Sequence, residues 1–234
     1  MKLGFDVISD LNLDAESDFD WDGKATSLYL IIAGNISSEL RVVHQTLLHL
    51  SKFYQGIFYI PGSLEFDSFH YVNHRYEELA RLCKTMKNVA FLHKHVVIVN
   101  GVAILGVNGW YGNINDTNLS PLEQLHACAS NLEDVEYLSS SLERLQLHLD
   151  VKKIILVSGS VPGPDLFFGE EPFQIAEQIP LWQCLPVDSE HKVTKWVYGN
   201  YSKNGETTID DVTYINNSCF DQRPYWPKRI DIEL

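Results

Sequence analysis

Asp10 is the one residue of the opening stretch Leu3–Leu13 that could hold a cation or move a proton. It follows the apolar run Phe5, Val7, Ile8, and α/β sheets gather ligands at the carboxyl ends of such strands. Its companions at comparable places are weaker. Asn12, Asn35, Ser63, Asn200 and Ser202 each follow an apolar run, and amides and hydroxyls can only give and take hydrogen bonds. Glu65 and Asp67 are close enough to join Asp10 as an acid–base set, or they are solvated loop acids. Ser158 and Ser160 lack the Gly-x-Ser-x-Gly context of a serine nucleophile. His93 and His95 are two apart, which puts both on one strand face and can suit a metal; a satisfied or solvated pair is the plainer account. His44, His49, His70, His74, His126, His148 and His191 are scattered and read as surface residues.

Regular elements must carry these groups. Leu28–Ala33 and Ile57–Ile60 read as buried strands, and Leu40, Val43, Leu47, Leu50 and Tyr54 lie at helical spacing between them, the signature of a parallel βαβ unit. A helix with Tyr76, Leu79, Leu82 and Met86 leads to three short β runs, Val89–Leu92, Val96–Val99 and Val102–Val107. The last two flank the hairpin signal Asn100-Gly101. Leu122–Leu149 reads as a helix with Leu125, Leu132, Val135, Leu138, Leu142, Leu145 and Leu149 inward, and Ser130-Asn131 as the place where it could break. Ile154–Val157 is a further buried strand, and the remainder is β-rich. No repeat, linker or low-complexity segment divides residues 1–234, so one domain is expected.

The bulk numbers narrow the function. Hydrophobic residues at 45% describe a globular chain. A formal charge of −13 with no basic run argues against a nucleic-acid partner, since phosphate binding rests on Lys and Arg. Cys83, Cys128, Cys184 and Cys219 are dispersed without a CxxC pair, which disfavours a zinc site and suits thiols in a reducing compartment. No secretory signal or bilayer-spanning run is seen, and a cytoplasmic protein is expected.

Taken in order, Asp10-Leu-Asn12, Gly34-Asn35, Pro61-Gly-Ser-Leu-Glu65 and Gly199-Asn-Tyr-Ser202, with their flanks, resemble the calcineurin-like metallophosphoesterase family. That family carries Asp-x-His, Gly-Asp, Gly-Asn-His-Glu/Asp, a His after a later strand, and Gly-His-x-His. The strand and turn at Tyr214–Ser218 also fit. The resemblance implies an α/β fold built as a four-layer α/β/β/α sandwich. It also implies two divalent metals (Mn, Fe, Ni or Zn) at the strand ends, which clamp a phosphate ester and generate hydroxide.

The sequence departs from the pattern where that chemistry resides. Asn12 and Asn35 stand for the first His and the bridging Asp, Ser63 and Leu64 for the ligand Asn and the catalytic His, Gly159 for the later His, and Asn200 and Ser202 for the last pair. Of the ligand positions only Asp10 keeps its type, a vestige. One carboxylate among neutral groups cannot offset the dehydration of a dication, so no metal and no cofactor are expected. The resulting expectation is a degenerate, catalytically inactive member: a pseudoenzyme serving as a binding or assembly subunit. Its partner would be a protein or a small polar ligand, not a membrane. The alternative is a metal-dependent phosphatase or phosphodiesterase, a hydrolase with an altered ligand set. Trp110 and Tyr111 could stack on a ligand, anchor a partner or cover the sandwich edge, and Tyr201 would narrow the old cleft.

Overall fold

The first sheet is built from β1 (Lys2–Ile8), β2 (Tyr29–Ala33), β3 (Gly56–Ile60), β4 (Val89–Phe91) and β11 (Lys228–Glu233). The second holds β5 (His95–Val99), β6 (Val102–Val107), β7 (Lys153–Ser158), β8 (Val193–Tyr198), β9 (Gly205–Ile209) and β10 (Val212–Asn216). Their orders are β11-β1-β2-β3-β4 and β5-β6-β7-β8-β10-β9. These assignments come from a computed structural model that describes residues 2–66, 72–110, 120–166, 179–220 and 224–234. The inner strands of both sheets run parallel, and β11, β5 and β9 pair antiparallel at the edges.

Side-chain alternation decides the layering. On β2, Leu30 and Ile32 point outward to α1 (Leu40–Leu50), meeting Val43, Leu47 and Leu50, while Ile31 and Ala33 point inward. The inward residues meet Phe5, Phe58 and Ile60 of their own sheet and Ile104, Ile155, Val157 and Ile215 of the other. α2 (Val72–Lys84) joins the outer layer through Leu79 and Cys83, and α3 (Pro121–Gln146) covers the second sheet with Leu138, Leu142 and Leu145. Strands buried on both faces read as near-continuous apolar runs, and those runs made this sandwich legible. The architecture is the expected four-layer α/β/β/α sandwich.

Local features follow their residues. Asn100 and Gly101 both take positive φ, +49° and +85°, and close the β5–β6 hairpin with Val99 opposite Val102. α3 starts on a capping box in which Ser120 and Glu123 exchange hydrogen bonds, with Pro121 at the first helical position.

The opening strand ends at Ile8, ahead of Asp10 as the apolar run implies, because Asp10 and Asn12 turn left-handed (φ +54° and +46°) and the Asn12 N–H donates to the Asn35 carbonyl at 3.0 Å. The long helix needs correction. α3 is unbroken at Ser130-Asn131, and the expected inward side holds for Val135, Leu138, Leu142 and Leu145 but not for the other three leucines. Leu125 and Leu132 are exposed and Leu149 lies past the helix end, whereas Ala127, Asn131 and Asp134 are buried. The Asn131 Nδ2 donates to the Ile179 carbonyl at 2.7 Å, and the Gly109 N–H donates to Asp134 Oδ2 at 2.9 Å. Partnered polar groups thus take the place of apolar ones on the inward face.

Candidate functional site

Five strand ends converge. Asp10 follows β1, Asn35 follows β2, Ser63 and Leu64 follow β3, Asn200 and Ser202 follow β8, and Ser218 follows β10. Asp10, Asn12, Asn35 and Asn200 all sit at positive φ (+54°, +46°, +57° and +58°). Asn and Asp accept that region better than other residues with a Cβ, which is one physical reason for these types here. The crossing is tight. A Cβ on Gly199 would fall 1.8 Å from the Ala33 carbonyl oxygen, so the chain can turn there only as glycine.

At the centre is a closed set of hydrogen bonds. Asp10 Oδ1 accepts the Asn35 Nδ2 at 2.7 Å and the Asn200 N–H at 2.8 Å, and Asp10 Oδ2 accepts the Ser9 hydroxyl at 2.7 Å. The same Asn35 amide nitrogen reaches Asn200 Oδ1 at 3.3 Å, and the Ser63 hydroxyl donates to that oxygen at 3.3 Å. The direction of the Asn35 amide is fixed by the backbone. Its Oδ1 takes the Leu64 N–H at 2.9 Å, so its NH₂ must face Asp10. Burial pushes the Asp10 carboxyl above its usual range, against the hydrogen bonds from Asn35, Ser9, Asn200 and Tyr201.

Above this floor lies a cleft of about 590 Å³. Asp10, Asn12, Asn35, Ser63, Leu64, Asn200 and Ser202 all line it. Tyr201 does too, and so do four residues the sequence reading passed over: Ser38, Phe66, Ser218 and Phe220. Ser218 was findable, since it closes the turn of the Tyr214–Ser218 match, two residues past β10, whose last residue Asn216 donates to the Tyr198 carbonyl at 3.0 Å. Phe66 was findable too, as the end of the matched flank Tyr-Ile-Pro-Gly-x-x-Glu-Phe, whereas Ser38 and Phe220 sit in loops with no sequence signal.

Gly159 does not line the cleft. A Cβ there would lie 2.1 Å from the Pro61 carbonyl oxygen and 2.5 Å from Asn108 Oδ1, so this backbone leaves no room for a side chain. Glu65 is also removed from acid–base work. It is buried beneath the site, where Oε1 accepts the Ile36 N–H (2.6 Å) and the Tyr59 hydroxyl (3.1 Å) and Oε2 accepts the Gly62 N–H (2.8 Å) and the Asn35 N–H (3.1 Å). It ties the ends of β2 and β3 together, and burial lifts its pKa to about 7.

Other candidates disperse. The His93 ring stacks on Tyr76 at 3.8 Å and Nδ1 accepts the Asn108 N–H, whereas His95 is exposed; the two form no metal face. Trp110 is buried, its ring 5.2 Å from that of Phe66, so it covers the core. Ser158 is engaged as donor to the Ser160 carbonyl (2.6 Å) and acceptor from Trp196 Nε1 (3.0 Å), and Ser160 is buried with no base beside it among the described residues. Asp67, His70 and Tyr111 lie outside the described residues.

The donor set can be tested against the two metals that the resemblance implies. A dication needs lone pairs, with anionic oxygens among them. The cleft floor offers one carboxylate whose oxygens already accept from Ser9, Asn35 and Asn200, and at the bridging position it offers an N–H donor. Among the described residues no three His, Cys, Asp or Glu side chains converge. These residues do not fit a dinuclear centre.

No family model matches the sequence, and no curated protein does. Solved structures do match. Phosphopantetheinyl hydrolase from Mycobacterium tuberculosis gives a TM-score of 0.62 at 17% identity, over 98% of this chain and 96% of its own. A putative 5′-nucleotidase from Staphylococcus aureus, solved with alpha-ketoglutarate, gives 0.57 at 13%, over 100% of this chain and 51% of that longer one. GAP50 of Plasmodium, described as the anchor in the inner membrane complex, gives 0.52 at 12%, over 93% and 71%. At such identities the likeness is one of fold, and the fold is of the metallophosphoesterase type.

Proposed function

We propose that this chain is a degenerate member of the calcineurin-like metallophosphoesterase family, a pseudoenzyme that acts as a binding or assembly domain. The observation that carries the reading is the Asn35 clasp. An amide held by the Leu64 N–H turns its own NH₂ onto Asp10, at 2.7 Å, where the resemblance puts a bridging carboxylate. Leu64 offers no proton at the position of the catalytic His. The cleft would take a small polar ligand or a polar segment of a protein partner, through hydroxyls and amides such as Ser38, Asn12 and Ser202. That the Plasmodium neighbour is described as an anchor supports a role of this kind on the same fold. No disulfide joins the described cysteines, which supports a cytoplasmic setting. No helix among the described residues is long and apolar enough to cross a membrane.

Elemental analysis of protein purified and dialysed against Mn, Fe, Ni and Zn in turn tests the reading. We expect far less than one equivalent of any metal, and no turnover of p-nitrophenyl phosphate or bis(p-nitrophenyl) phosphate with Mn present. Two equivalents of metal, or turnover that disappears in Asp10→Ala, would establish the altered-ligand phosphoesterase instead.

A further inference from the structure

The second sheet carries a larger hollow at its other end. It measures about 850 Å³ and is lined by Lys153, Val193 and Val212, the first residues of β7, β8 and β10. The strand-end cleft lies at the opposite, carboxyl end of these parallel strands. The wall is aromatic. Trp182 meets Tyr214 edge-on at 6.3 Å, and Tyr214 stacks on Trp196 at 5.8 Å. The Trp182 ring lies over Gly163, where a Cβ would come within 2.6 Å of it, so the ring is seated rather than loose.

The rim is acidic. Asp165, Asp188, Asp210 and Asp211 line the hollow with Lys153 and His191. Asp188 is committed to the fold, accepting from Gln146 Nε2 (2.8 Å), the Lys192 N–H (3.0 Å) and the Val193 N–H (2.9 Å). Asp165, Asp210 and Asp211 are exposed. At the floor, β8 bulges. Ile154 faces Val193 and Ile155 faces Lys195, which leaves Thr194 unopposed, with its buried hydroxyl lacking a partner among the described residues. Bulges of this kind re-aim a side chain next to a site.

We propose that this hollow binds an organic ammonium ion carried on an apolar or aromatic body. The apolar part packs against the half-buried Trp182, whose ring attracts a cation, and Asp210 and Asp211 neutralise the charge at the rim. The Thr194 hydroxyl oxygen can accept from the ammonium. The volume suits a molecule of metabolite size. The site is independent of the reading given to the strand-end cleft.

Calorimetric titration with three near-isosteres tests it: phenethylammonium, 2-phenylethanol and phenylacetate. We expect saturable binding of the ammonium, with the alcohol at least roughly tenfold weaker and the acid weaker still. The variant carrying Asp210→Asn and Asp211→Gly removes two of the three exposed rim charges, leaving Asp165, and installs the preferred two-residue hairpin turn, so its fold is retained or strengthened. It should bind the ammonium roughly 3- to 10-fold more weakly, as for partly exposed ion pairs. Trp182→Leu should weaken the ammonium as well. Leu64→Trp, which blocks the strand-end cleft, should leave the titration unchanged. No saturable binding, equal binding of alcohol and ammonium, an unchanged affinity in the turn variant, or loss in Leu64→Trp would each overturn the proposal.

Discussion

At the residue scale the decisive pair is Asp10 and Asn35. Asp10 survives in the structure as an acceptor, holding the Asn200 N–H and the Asn35 amide in place. Asp10→Ala leaves those buried donors without a partner, and a loss of roughly 2–4 kcal/mol in urea unfolding is expected. Asn35→Asp asks a sharper question. It sets a second carboxylate against Asp10 and also faces an N–H acceptor role toward Leu64 that a carboxylate keeps. With EDTA present the repulsion between two buried anions should lower stability by roughly 1–3 kcal/mol. Because the change restores an anionic pair, added Mn should then raise Tm in this variant and leave the parent unmoved. Equal Mn responses in both proteins would show that charge at this position does not govern metal affinity.

At the element scale the strands were far easier to read than the helices. Leu30, Ile31, Ile32 and Ala33 are apolar whichever way they face, so β2 announced itself, and the strand ends placed seven of eight expected cleft positions on one surface. Gly159 was named as the residue at the later His position, but the close backbone approach from Pro61 that leaves no room for a side chain there is invisible in a one-dimensional pattern. α3 misled for a different reason. Its inward face continues from Leu138 and Leu142 back to Asp134 and Asn131, which bond through Oδ2 and Nδ2 to chain far away in sequence, while Leu125 and Leu132 are turned to solvent. The consequence is measurable. Asn131→Ala should cost roughly 1–2 kcal/mol by orphaning the Ile179 carbonyl, whereas Leu125→Ser should stay within about 0.5 kcal/mol. Chemical denaturation of both variants decides it, and a larger loss for Leu125→Ser would put Leu125 on the inward side.

At the scale of the whole molecule, groups shifted by burial set how stability changes with pH, and Asp10, raised as well, acts in the same sense as Glu65 and Asp134. Burial lifts Glu65 to about 7 and Asp134 to about 6, the latter against the attraction of Lys94. Burial, helped by Lys94, lowers His93 to about 3. For a carboxyl whose folded pKa is raised, the folded state holds more protons between the two values, so its contribution is complete at low pH and is lost as pH rises. The windows run from 4.5 to about 7 for Glu65 and from 3.8 to about 6 for Asp134. His93 acts in the opposite sense. Its unfolded form takes the proton between about 3 and 6.5, so that contribution grows as pH rises. From about pH 4.5 to about 6 these two carboxyls, with Asp10 on their side, outweigh one imidazole, and above 6.5 Glu65 is still titrating. Tm should therefore fall by a few degrees between pH 5 and pH 7.5. His93→Phe keeps an aromatic ring against Tyr76 and removes the opposing term, so its fall between pH 4.5 and 6.5 should be steeper than the parent's. Scanning calorimetry of the two proteins across this range provides the comparison. A parent Tm that climbs from pH 5 to pH 7.5 would mean that the four donors around Glu65 hold it ionised in spite of its burial.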